Sequence, residues 1–355
     1  MKRILCLTFV LMLLGMPVMA DDISEYITDD MDENLPDGIV GDEGISYKVI
    51  IDTVTKALKN VLPRVLGGMS TLLAVIVLSA LFSVLAGSVQ SKGIQRGLGY
   101  LSTACIAVTV YNNLLNVWEA MAELMSRING FMVTLTPVTT LLYATGGNLT
   151  TAAVNNTAMG IILTVFETIC FHCIKPILQI CFGFSIINAL CEVVDLRRLG
   201  NFLRRTYTTV LLFVISSMIA ILSLQNMLSA SKDSLGMRTV KFAAANSIPI
   251  VGGALGEAAA TVGVSMSAIR SSFGALAILA LIMMIFPTVM SMWLNKISFS
   301  LMSAVCSVFG LTKEEGIVSG GAELMNFALA ITVSSAVMFI ISIYMFASAQ
   351  AVVGG

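Results

Sequence analysis

Six long apolar runs, at 65–89, 97–117, 154–174, 207–228, 272–293 and 325–348, constrain this chain more than anything else in it. A helix crossing the roughly 30 Å hydrocarbon core of a bilayer needs about 20 mostly apolar residues, and these runs meet that length. Inside hydrocarbon each backbone amide must find a partner within the protein, so runs of this kind span as helices. Composition agrees: 57% of the residues are hydrophobic and 12% charged, against about 25% charged in a soluble domain. The expected fold is an all-α polytopic integral membrane protein with six spans. Shorter apolar pieces at 131–145, 177–194, 243–264 and 297–311 add up to four crossing, re-entrant or interfacial segments.

The amino-terminal part follows another logic. Residues 1–20 have the form of a secretory signal, with Lys2 and Arg3 ahead of an apolar core and Val18-Met19-Ala20 as the cleavage site. Ten of the 21 acidic residues then crowd into 21–46 without a lysine or arginine among them. Such a segment repels itself and buries too little to order, so a disordered extracytoplasmic lead is expected. In 47–64, Ile50, Ile51, Val54, Leu58, Val61 and Leu62 recur at helical spacing while Lys48, Asp52, Lys56 and Lys59 take the other positions. This predicts an amphipathic interfacial helix, separated by Pro63 from the membrane domain that fills 65–355.

One stretch, 241–262, does not suit plain spanning. It is apolar but built of small residues and broken by Pro249, Gly252 and Gly253. Irregular backbone at membrane depth is tolerated where protein or a water-filled cavity satisfies it, so Asn246, Pro249, Gly252, Gly253 and Glu257 become candidate pathway or interface residues. A weak internal repeat, 131–228 and 242–348, sets Pro137 and Pro176 of one copy against Pro249 and Pro287 of the other. That pattern points to transporter-like architecture and adds Pro137 to the candidates. The distribution of lysine and arginine favours neither inverted nor parallel copies.

Signals for catalysis are poor. His172 lies between Cys170 and Cys173 without further ligands at metal or haem spacing, and small buried apolar side chains explain the cysteines. Gly252-Gly253 is not followed by a phosphate-loop motif. No catalytic residue, metal or cofactor is expected, and nucleic-acid binding finds no basic patch with interleaved aromatics. Glu167 within a run is costly in lipid and therefore faces a bundle interior or an aqueous path. Glu323, just before the last run, is a further candidate.

Lys241-Phe242, Asn246, Ile248-Pro249 and Val251-Gly252 resemble the Lys-Phe-x-x-x-Asn-x-Ile-Pro-x-Val-Gly signature of the stage III sporulation protein AE family. The order of signal, acidic lead, amphipathic helix and spans is similar too. The resemblance implies a non-enzymatic membrane subunit of a sporulation channel or feeding complex in the mother-cell membrane around the forespore, with the amino terminus extracytoplasmic. It implies as partners the other stage III A proteins, including a cytoplasmic ATPase and extracytoplasmic ring components, and indirectly stage II sporulation protein Q. Two further readings compete: a stand-alone secondary transporter or permease, and a passive membrane scaffold.

Overall fold

The computed structural model describes residues 40–41, 44–45, 47–145, 149–190, 196–247 and 252–348. The expected signal segment, most of the acidic lead and Pro249 lie outside the described residues. Val40–Gly41 (β1) and Gly44–Ile45 (β2) form a two-residue antiparallel ladder. Apart from short connections at 89–91, 196 and 309–311, the other described residues are helical: α1 Tyr47–Ser88, α2 Lys92–Thr145, α3 Leu149–Glu167, a π-helical turn Thr168–Cys173, α4 Ile174–Leu190, α5 Arg197–Ser247, α6 Gly252–Val308 and α7 Thr312–Ser348.

Five of these helices are long and apolar enough to cross a membrane, at Val54–Ser88, Lys92–Thr145, Arg197–Leu224, Ser272–Val308 and Thr312–Ala347. They overlap five of the six runs read from the sequence. The sixth, 154–174, is divided by the π turn, which begins eight residues before Pro176. Proline cannot donate to the carbonyl four residues back and its ring presses on that carbonyl. A widened turn is one way to absorb the strain.

Elsewhere the expected breaks are absent. α1 passes through Pro63 without interruption, so the amphipathic segment and the first apolar run are one helix. α2 runs through the polar stretch between 117 and 131, and through Pro137. The piece at 297–311 continues α6 up to Val308 instead of standing apart. The stretch 241–262 is shared: α5 ends at Ser247 and α6 starts at Gly252. The expected repeat copies therefore begin inside α2 and inside α5, not at the start of an element.

The core is an antiparallel hairpin of α6 and α7. Phe273, Leu276, Ala277, Ala280 and Leu281 of α6 are buried, as are Thr332, Ser335, Phe339 and Ile343 of α7. At one end a Cβ added to Gly274 would come within 2.2 Å of Ala347 Cβ, so the backbones approach too closely for a side chain. At the other end α6 stops in a Schellman motif. Gly310, with φ of 71°, donates to Ser307 O, and Leu311 donates to Cys306 O. α7 follows at once. α1 packs on α2 and α6, while α5 packs on α3, α4, α6 and α7, so α1 and α5 occupy different flanks of the hairpin.

Candidate functional site

α7 serves as a ruler for the heights of the other helices. α2 runs parallel to it: Ser102 and Thr103 donate to Glu314 Oε1 at 2.8 and 3.0 Å, Gly321 sits against Val110, and Tyr143 Oη donates to Phe346 O. α5 is parallel too, with Arg204 Nη2 2.8 Å from Glu323 Oε2 and the rings of Tyr207 and Phe327 5.8 Å apart. α6 is antiparallel, through Lys296 Nζ to Asn326 Oδ1 at 2.6 Å and Thr332 Oγ1 to Met292 Sδ at 3.7 Å. α1 is tied to α2 by Asn113 Nδ2 donating to Gly68 O at 3.4 Å.

These pairs align two unlike surfaces at one height. Asn112, Asn116, Glu119, Glu123, Ser126 and Arg127 recur at three- and four-residue steps and are exposed, making a single polar stripe along α2. Counting from Val110–Gly321 and Tyr143–Phe346, Glu119 to Arg127 lie beside α7 between Phe327 and Met338. The Gly68–Asn113 contact brings Lys56, Lys59 and Arg64 of α1, all exposed, to the same height. On the α5 flank that height is occupied by Val210, Leu212 and Phe213, of which Phe213 is 72% exposed. One side of the bundle therefore presents hydrocarbon and another presents charge.

Closer to the α6–α7 turn the two flanks exchange character. α1 exposes Leu73, Val77, Leu78, Leu81, Val84 and Leu85, and the tip of the α1–α2 hairpin runs about 13 Å past the α6–α7 turn at 1.5 Å per residue. At that end the α5 side carries Arg197, Arg198, Arg204 and Arg205, and α7 carries Lys313. The two apolar surfaces are offset along the bundle axis by roughly 25 Å. An arginine or aspartate at the centre of a spanning helix costs about 2.5–3.5 kcal/mol on insertion scales. Whichever apolar surface lies in lipid, charges of the other flank sit at hydrocarbon depth unless water or another protein covers them.

Between α4, α5 and α7 lies a cavity of about 250 Å³. Arg204 is held across it: Nη2 also donates to Asn201 Oδ1 at 2.7 Å, Nε donates to Gly200 O at 3.4 Å, and its side chain is 17% exposed. The α4–α5 connection is closed by Leu196 N donating to Asn188 Oδ1 at 2.7 Å. Higher up, Tyr207 Oη donates at 3.1 Å to Ile169 O, a carbonyl of the π turn. A backbone group loosened by the wide turn is thus satisfied by the neighbouring helix.

The candidates read from the sequence divide accordingly. Pro137 is exposed and continues the α2 stripe, three turns beyond Arg127. Glu323 lines the cavity and pairs with Arg204. For Glu167, Asn246, Gly252, Gly253 and Glu257 the helical backbone alone is described; Glu167 immediately precedes the π turn, and the other four stand near the α5–α6 connection. The sequence reading missed Glu119, Glu123, Arg127, Arg204 and the buried Glu314. For Glu119, Glu123 and Arg127 the signal was present in the apolar period Leu114, Val117, Met121, Leu124, Ile128, Phe131, Leu135, which marks the polar middle of α2 as one face of a continuous helix; Arg204 and Glu314 have no such local signal.

Comparison with known proteins gives a consistent picture. A family model described as Stage III sporulation protein AE matches residues 30–350. The chain is similar to Stage III sporulation protein AE of Bacillus subtilis (strain 168), with 22% identity over 215 residues, 59% of this chain and 54% of that protein. The matched region thus spans about half the length of that relative. No solved structure matches.

Proposed function

The chain belongs to the stage III sporulation protein AE family, and we propose that it is a membrane subunit of the sporulation channel or secretion-like complex in the mother-cell membrane around the forespore. It works there with the other stage III A proteins, including their cytoplasmic ATPase and extracytoplasmic ring, and supports the forespore after engulfment. The carrying observation is the charged α1–α2 flank, with Glu119, Glu123, Arg127, Lys56 and Lys59 at the height where α5 exposes Leu212 and Phe213. A protein alone in lipid gains nothing from such an arrangement, because each exposed charge costs insertion energy. A subunit that shares an aqueous passage or a polar contact with neighbours does gain. Catalysis has no part in this reading.

Two experiments test it. Deleting the gene leaves vegetative growth unchanged and stops spores after engulfment; a normal spore yield removes the assignment. With single cysteines placed in the complex, a membrane-impermeant thiol reagent labels Glu123→Cys unless a partner covers it, and does not label Phe213→Cys. Equal labelling of both contradicts the division into polar and lipid flanks.

A stand-alone secondary transporter is the second reading, favoured by the interrupted helix at Thr168–Cys173, since broken helices mark midplane sites in such proteins. It requires solute flux in liposomes holding this chain alone, reduced by Glu167→Gln or Glu257→Gln.

A further inference from the structure

We infer that two copies of this chain associate through the α1–α2 flank, about a two-fold axis parallel to the helices, so that α1 of each meets α2 of the other. The subunit role proposed above is the premise, since it gives this flank a neighbour. Both helices carry an outward seam besides the side they bury in the bundle. On α1, Lys59, Pro63, Ser70, Ala74, Leu81 and Leu85 are exposed and follow one another at alternating steps of four and seven residues. On α2, Leu101, Val108, Asn112, Glu119 and Glu123 are exposed and do the same. Such steps keep side chains on one side of a helix and are the spacing of helix-on-helix packing. The bundle uses the opposite sides, with Val65, Leu72 and Ile76 of α1 and Val110, Leu114 and Val117 of α2 buried.

Register and sign select the occupant. α1 and α2 run antiparallel through the Gly68–Asn113 contact, so Lys59, nine residues before Gly68, lies between the heights of Glu119 and Glu123, six and ten residues after Asn113. Toward the α1–α2 connection, Leu81, thirteen residues after Gly68, is level with Leu101, twelve before Asn113. A two-fold axis along the helices keeps every height and exchanges α1 for α2. A second copy placed by it offers carboxylates to Lys59 and an apolar tip to Leu81 at once. Among the described residues Lys56, Lys59, Glu119 and Glu123 have no ion-pair partner. Midway along the α1 seam Ser70 and Ala74 are small, and a Cβ added to nearby Gly67 would meet nothing within 4 Å, which lets a second helix come close. Lipid suits the apolar half of this surface and water the charged half. Another copy suits both.

Sedimentation of the full chain in a density-matched neutral detergent at low salt tests the pairing. The wild type dimerises as its concentration rises. Lys59→Glu or Glu119→Lys alone sets like charges at both contacts of the dimer and weakens it at least about tenfold. Mixed in equal amounts, the two variants form a heterodimer of wild-type strength, because each then offers the other the opposite charge. Ala74→Trp, which keeps the charges, also abolishes the dimer while helix content stays as in the wild type, and it carries the test if a charge variant does not fold. A wild type that is monomeric at every concentration, a folded variant that dimerises by itself at full strength, or a mixture that stays monomeric overturns the second copy. So does a complex in which Glu123→Cys crosslinks only to a different protein. None of these results removes the subunit reading, which falls instead with a normal spore yield.

Discussion

The helix that carries Pro176 and the helix that carries Pro287 meet the same obstacle and answer it differently. Ahead of Pro176 the chain widens into the π turn Thr168–Cys173, and Tyr207 of α5 reaches in to hold Ile169 O. Around Pro287 α6 stays α-helical from Gly252 to Val308. The surroundings account for the contrast. α6 is buried almost continuously from Ser272 to Leu281, close against α7, and has no room to bulge. α3 and α4 are more loosely covered and have a hydroxyl beside them. Packing, more than the proline, decides whether a membrane helix rewinds.

The largest effect comes from attacking the tight region. Gly274→Leu forces α6 off α7 at Ala347, and we expect a loss of about 3 kcal/mol in a reversible unfolding titration from mixed micelles. Ala347→Gly in the same chain recovers part of it. If Gly274→Leu unfolds like the wild type, the hairpin is not the rigid partner in the comparison. Next is the closed end of the hairpin. Glu314→Ala leaves the buried hydroxyl of Ser102 without its acceptor, while Thr103 keeps Gly99 O, and costs about 2 kcal/mol by the same titration.

On the loose side, Tyr207→Phe removes one hydrogen bond, worth about 0.6–1 kcal/mol in a membrane. It also speeds hydrogen exchange in 168–174 while leaving α6 unchanged; uniform exchange across both helices would erase the distinction. Pro287→Ala is the smallest change, within about 0.5 kcal/mol, because α6 already keeps its helical path around that residue.

Apolar run length was enough to locate five of the crossing helices, because in lipid the need to satisfy backbone amides leaves few alternatives. Proline was a poor guide to their ends. Pro63 and Pro137 are both exposed, so their rings point away from neighbours. Near Pro137 the hydroxyls of Thr136, Thr139 and Thr140 donate to the carbonyls of Met132 and Thr136, supporting the weakened turns from within the helix. The polar middle of α2 read as a connection because hydropathy averages over all faces of a helix, and only periodicity separates its buried side from its charged one. The cavity was illegible for a different reason. Arg197, Arg204, Lys313 and Glu323 are drawn from two helices more than 100 residues apart, and no local pattern announces that meeting.

The α6–α7 hairpin lies carboxy-terminal to every helix that packs on it. During synthesis α1 to α5 therefore enter the membrane before their common partner exists, with Glu119, Arg127, Arg204 and the π turn not yet in their final settings. Folding waits for the last third of the chain, and the Schellman turn at Gly310 makes that last step local and fast. A ribosome stalled before α6 would release a set of helices without a core, which the cell's membrane proteases can recognise as unfinished.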